Sequence, residues 1–151
     1  MDFCFLKKNG ADFVTDEGEI IKNKELTRPS YQPRSFAFCS DTLYDAKNIK
    51  ILKNTNLLMH ESTFAADKMA RAHETFHSTA SEAASIAKKA KVDKLILTHF
   101  SSRYKNPDIF YKEASEIFKD TIIAEDGLKI DITLDHKFVI QELENNQNEP
   151  F

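Results

Sequence analysis

The hydrophobic positions of this chain follow two rhythms. Three short apolar runs, Ser35-Phe36-Ala37-Phe38-Cys39, Asn56-Leu57-Leu58-Met59 and Lys94-Leu95-Ile96-Leu97-Thr98, are continuous or nearly so rather than strictly alternating, as in strands buried on both faces. Each gives way to polar residues: Ser40-Asp41-Thr42 after the first run, His60-Glu61 after the second, His99 after the third. Between the second and third runs the period becomes helical. Thr79-Ala80-Ser81-Glu82 fits a capping box, in which the first hydroxyl and the last carboxylate each satisfy a free backbone N–H, and Ala83, Ile86, Ala87 and Ala90 follow on one face. Lys88, Lys89 and Lys91 suit the negative end of that helix. After the third run, Asn106-Pro107 opens another helix with apolar positions Ile109, Phe110, Ala114, Ile117 and Phe118. Strand and helix alternate, which predicts an α/β fold.

The flanks read differently. Val14 to Ile20, with an acidic turn at Asp16-Glu17-Gly18, predicts a hairpin, and Thr27 to Pro33, with two prolines, predicts a loop. Phe3-Cys4-Phe5-Leu6 looks like a strand already under way, without a preceding cap. From Thr121 a second hairpin is expected, with Ile122-Ile123-Ala124 turning at Glu125-Asp126-Gly127 into the alternation of Leu128, Ile130, Ile132 and Leu134. The last residues, ENNQNEPF, have too little apolar character to be held down. The expected division is one domain over 1–143 and a disordered tail over 144–151.

Composition narrows the class without naming a function. At 151 residues, 41% hydrophobic and 30% charged, the chain is an ordinary globular protein. Its net charge of -3 gives no global footprint for nucleic acid, although Lys7-Lys8, Lys88 to Lys91 and Arg103-Tyr104-Lys105 are local basic clusters. Cys4 and Cys39 stand alone, in no C-x-x-C arrangement, which points to reduced thiols in a cytoplasmic protein. No run approaches the roughly 18 apolar residues that span a bilayer, so no membrane partner is expected.

One short motif invites a specific chemistry. His73-Glu74-Thr75-Phe76-His77 matches H-E-x-x-H, the pattern of zinc proteases in which two histidines on one helical face hold the metal. The capping box argues against it, because a helix that starts at Thr79 leaves His77 outside. A separate helix over Ala65 to Ala72 would reach His73 at most.

The competing site lies at the carboxyl ends of the strands, where sheets with helical crossovers generally bind ligands. Asp41, Glu61, His77 and His99 would converge there. A carboxylate can bridge two cations and an imidazole can ligate one. A carboxylate behind a second imidazole can orient it and favour its charged form for proton donation. Taken singly, each residue also has an ordinary reading: a turn aspartate, a core histidine, a surface pair.

In this order and spacing, FCSDT, HESTF and HSTASEAASIAKKAKVDKLILTHFSSRY resemble the ribonuclease Z family of the metallo-β-lactamase superfamily. The resemblance is strong from Arg34 to Tyr104 and weaker through Leu134. It implies an αβ/βα sandwich, a centre of two zinc ions, and endonucleolytic removal of 3′ trailers from precursor tRNA. It implies that Asp41 bridges the metals, that His99 is the last histidine ligand, and that Glu61 and His77 assist proton transfer to the leaving oxygen. Arg103 is expected to bind substrate.

Two departures qualify that expectation. Ser40 stands where the family often has glycine. The family's H-x-H-x-D-H motif is absent, as is a histidine upstream of Asp41, since His60 is the first histidine of the chain. The sequence therefore looks like the C-terminal half of the family's α/β sandwich, which would need a complementary N-terminal segment or a second copy in a homodimer. Three rivals follow: a superfamily relative acting on another phosphodiester or ester, a non-catalytic module binding RNA or a partner chain, and the H-E-x-x-H protease.

Overall fold

A computed structural model describes residues 8–28 and 30–142. The expected strand at Phe3 to Leu6 and the tail over 144–151 lie outside the described residues. The chain divides into two compact units, 1–32 and 33–151.

In the first unit, β1 (Phe13–Val14) pairs antiparallel with β2 (Ile20–Ile21), the hairpin expected from the acidic turn. Gly18 takes φ +85 in that turn, a conformation that favours glycine. A single helical turn, α1 (Asn23–Leu26), follows. Asp12 accepts from the backbone N–H of Asn23 at 2.8 Å.

The second unit holds a four-stranded parallel sheet in the order β3 (Phe36–Cys39), β4 (Leu57–Glu61), β5 (Lys94–Thr98), β6 (Thr121–Ile123). Neighbouring parallel strands need crossovers. These carry α2 (Asn48–Ile51), then a 3-10 turn (Ala66–Lys68) with α3 (Met69–Glu74) and α4 (Ala80–Ala90), then α5 (Asp108–Ile117). The capping box forms as expected: Thr79 Oγ accepts from Glu82 N at 3.2 Å, and Glu82 Oε2 accepts from Thr79 N at 2.9 Å. The small residues Ala80, Ala83, Ala87 and Ala90 let α4 lie close to the sheet, where Leu58, Leu95 and Leu97 are fully buried. Each such leucine contributes about 1.5–3 kcal/mol relative to exposure. α5 completes this layer with Phe110, whose ring lies 4.7 Å from Phe100 and 4.8 Å from Tyr104.

Three expectations need correction. β3 is not buried on both faces: Ala37 and Cys39 pack on the core, but Phe36 and Phe38 are 59% and 57% exposed. It is an edge strand with β4 as its one partner among the described residues. Ile109 is also exposed, because α5 turns Phe110 and Ala114 inward and Ile109 falls off that face. Finally, Thr121–Ile123 does not pair with the segment after Gly127. It joins the sheet as β6, and β7 (Leu128–Ile132) pairs antiparallel with β8 (Phe138–Glu142). The true hairpin turn runs through Thr133 to His136, where His136 takes φ +61.

Candidate functional site

Because β3, β4 and β5 are parallel, the residues that leave their carboxyl ends converge. Asp41 follows β3, Glu61 closes β4, and His99 follows β5. His77 arrives from the loop between α3 and α4, its backbone N–H donating to Ala72 O at 2.8 Å. His99 Nε2 lies 3.4 Å from Asp41 Oδ1. The rings of His77 and His99 are 5.3 Å apart. One donor atom from each of Asp41, His77 and His99 falls within 4.8 Å of the other two, the one such group of three among the described residues.

The backbone at these positions is unusual. Asp41 has φ +32 and His99 φ +61, while Phe76, directly before His77, has φ +60. Non-glycine residues held in sparsely populated backbone regions cost about 1–3 kcal/mol each and cluster at functional sites, where the surrounding structure holds them. Ser40 is not among the positive-φ residues. The turn places its strain on Asp41 instead, so serine in place of glycine is accommodated without strain of its own.

Glu61 is fully buried and fully satisfied. Its Oε1 accepts from Thr42 N at 3.1 Å, from Ser78 N at 2.8 Å and from His77 Nδ1 at 3.1 Å. Its Oε2 accepts from Thr63 N at 2.9 Å and from Thr63 Oγ at 2.8 Å. A buried carboxylate is costly unless such donors surround it. Here they also tie three loops to the end of β4. Thr63 escaped the sequence reading. The available signal was its spacing: two residues beyond Glu61 in an extended segment, its side chain falls on the same side.

His60, adjacent to Glu61, belongs to the packing. It is buried, its Nδ1 donates to Glu61 O at 2.7 Å, and desolvation holds it below the usual histidine range. Arg103 is not part of the cluster. It is exposed in the loop after β5, and its guanidinium donates to Ser101 Oγ at 3.1 Å.

The H-E-x-x-H reading is overturned by geometry. α3 ends at Glu74, so His73 and His77 share no helical face. His73 Nε2 instead meets Glu82 Oε1 at 2.7 Å, bracing the carboxylate of the capping box, and Glu74 pairs with Arg71 at 3.1 Å. Both residues have structural partners.

The donors suit a metal of borderline softness. A carboxylate oxygen and imidazole nitrogens are ligands that zinc takes, and His99 Nε2 already faces Asp41. The number of donors is the limit. A catalytic zinc takes about three protein ligands, so this cluster can contribute to one or two ions without completing a pair.

No family model matches the chain. It is 50% identical over 125 residues to ribonuclease Z of Bacteroides fragilis, and 50% identical over 125 residues to ribonuclease Z of Parabacteroides distasonis. Each match covers 83% of this chain and 41% of the relative, so the chain spans about two fifths of the length of the curated relatives it matches. Among solved structures it is similar to the metallo-β-lactamase fold protein YhfI from Bacillus subtilis, at 31% identity and TM-score 0.54, covering 58% of this chain and 36% of that one. The α/β architecture with its parallel sheet is thus that of the metallo-β-lactamase fold, and over 125 residues the sequence is similar to that of ribonuclease Z.

Proposed function

We propose that this chain is the C-terminal part of a zinc-dependent endoribonuclease that removes 3′ trailers from precursor tRNA. The observation that carries the reading is the convergence of Asp41, His77 and His99 within 4.8 Å, with the buried Glu61 behind His77. In this reading Asp41 and His99 hold metal, and His77 is not a ligand. When bound, zinc supplies Lewis-acid neutralisation of charge on the phosphodiester.

The chain's own residues supply the proton chemistry. Glu61 Oε1 holds the Nδ1 side of His77, which leaves Nε2 as the atom that can face substrate. A proton delivered from that nitrogen to the departing 3′ oxygen is general acid catalysis. Thr42 and Ser78, bonded to the same carboxylate, fix the loops that carry Asp41 and His77. Arg103, exposed on the loop after β5, is suited to a phosphate of the RNA. No helix among the described residues is long and apolar enough to cross a membrane, and in this reading the protein works in the cytoplasm.

The missing donors and the side of β3 that no strand among the described residues covers support one further step: the site is completed by a complementary segment or a second copy. Phe36 and Phe38 are more than half exposed on an edge strand, a surface that folded proteins normally cover. The test is trailer cleavage by the purified chain with and without a complementary N-terminal half. The chain alone is expected to self-associate and cleave nothing, even with added zinc, and the reconstituted protein to cleave. Robust cleavage by the chain alone would overturn the incomplete-site reading. No cleavage after reconstitution would favour a non-catalytic module that binds RNA or a partner.

A further inference from the structure

Thr63 Oγ lies where the two halves of the site meet. It is 2.8 Å from Glu61 Oε2, 2.8 Å from His99 Nδ1 and 3.2 Å from His77 Nδ1. A hydroxyl has one proton to donate and lone pairs for two acceptor contacts, so it can donate to only one of these three atoms. Glu61 decides which. Every other group recorded around its carboxylate, namely Thr42 N, Thr63 N, Ser78 N and His77 Nδ1, can donate to it. A hydroxyl bonded to a carboxylate makes a charge-assisted bond roughly twice as strong as a neutral one. The Thr63 proton therefore goes to Glu61.

What remains on Thr63 Oγ is lone pairs, so an imidazole nitrogen that bonds to it must carry the hydrogen. His99 then has its proton on Nδ1 and a bare Nε2, the atom 3.4 Å from Asp41 Oδ1. The opposite assignment has Thr63 donating to His99 Nδ1. It would put the ring proton on Nε2, aimed at the Asp41 carboxylate, and would leave no lone pair there for a cation. Which nitrogen of a metal-binding histidine is free is set by the bond the other nitrogen makes.

We propose that Thr63 is a positioning residue for cation binding: its hydroxyl passes the acceptor demand of buried Glu61 on to His99, holding that ring in the Nδ1–H form so that its Nε2 lone pair faces Asp41. The metal step rests on the reading of Asp41 and His99 as ligands. The hydrogen-bond chain itself does not. One hydroxyl thereby couples the proton-transfer pair to the metal-facing pair, and a change at either end reaches the other through it.

The test reads the tautomer directly, by long-range proton–nitrogen NMR of the imidazoles in the 151-residue chain, above the histidine titration range. Wild type is expected to show His99 with its hydrogen on Nδ1, and Thr63→Ser, which keeps the hydroxyl, to match it. Thr63→Val keeps the shape, removes the hydroxyl, and is expected to move His99 towards the Nε2–H form. In a zinc titration, Thr63→Val should bind about 10–100-fold more weakly, the usual cost of losing an outer-shell partner, and Thr63→Ser close to wild type. A wild-type His99 with hydrogen on Nε2 overturns the proposal, as does a valine variant that keeps both the wild-type tautomer and the wild-type zinc affinity. Should the valine variant fail to fold, the wild-type tautomer still decides. If the tautomer follows residue 63 but wild type binds no zinc, the ligand reading of Asp41 and His99 falls while the hydrogen-bond chain stands.

Discussion

The two carboxylates of the site live in opposite surroundings. Glu61 is fully buried, and its two oxygens accept from three backbone N–H groups, a hydroxyl and an imidazole. Asp41 is 60% exposed and His99 beside it 49% exposed, with 3.4 Å between their facing atoms. One half is fully bonded within this chain, and the other is open to the outside. The contrast follows from position. Glu61 ends a central strand and is roofed by the loops before α2 and α4, whereas Asp41 leaves the edge strand β3. A pair built to orient a proton donor needs every partner supplied locally. A pair built to share a metal needs free donor atoms and further ligands, and those ligands can come from another segment.

The sharpest way to break this comparison is at His77, which belongs to the finished half but reaches the open one. In the reconstituted protein, His77→Ala should slow trailer cleavage about 10²- to 10⁴-fold, the usual worth of positioned acid catalysis, with bound zinc unchanged. Metal content measured on the same preparation is the check. If zinc fell in parallel with rate, His77 would be a ligand and the division into two halves would fail.

Next in size is the difference in stability between the two carboxylates. Glu61→Gln keeps the shape but turns an amide NH2 towards groups that are themselves donors. Leaving a buried polar group unsatisfied costs about 1–3 kcal/mol, and thermal unfolding should report a loss near the upper end of that range. Asp41→Asn removes a charge from an exposed position and keeps a residue type that tolerates positive φ, so it should stay within about 0.5 kcal/mol of wild type. Its cost should appear in zinc affinity instead. Equal destabilisation by the two substitutions would remove the distinction between a structural and an open carboxylate.

The parts that were legible in sequence are those whose cause is local. A capping box needs only Thr79 and Glu82, and the apolar runs at Leu57 and Leu95 mark strands because they are too short for helices and are bounded by polar residues. Convergence of Asp41, Glu61, His77 and His99 followed once parallel strands were expected. Pairing partners were harder. Thr121–Ile123 is three residues long, and whether it turns back or joins β5 depends on packing far along the chain. The edge position of β3 was invisible for the same reason, since Phe36 and Phe38 read like core residues until it is known that β4 is the strand's one partner among the described residues. Thr63 was legible only as a residue on the same side as Glu61, and its role arises when Glu61, His77 and His99 are brought around it.

The smallest expected effect belongs to Glu74, and it tests whether a short motif can outvote geometry. In a protease of the H-E-x-x-H type this glutamate would activate water, and its loss would abolish activity. Here α3 stops at Glu74, which is exposed and paired to Arg71 three residues earlier. Such surface pairs are worth about 0–1 kcal/mol. Glu74→Gln should therefore leave trailer cleavage by the reconstituted protein nearly intact and shift stability by no more than about 0.5 kcal/mol. His73 provides the internal contrast, because its bond to Glu82 ties α3 to the start of α4. Losing it should loosen the loop that carries His77, so His73→Ala should reduce activity more than Glu74→Gln does, while remaining milder than His77→Ala. Steady-state cleavage by the three variants gives the ranking. A rate for Glu74→Gln as low as that of Asp41→Asn would mean that this glutamate reaches the chemistry after all, and would return the motif to the functional reading that the end of α3 denies it.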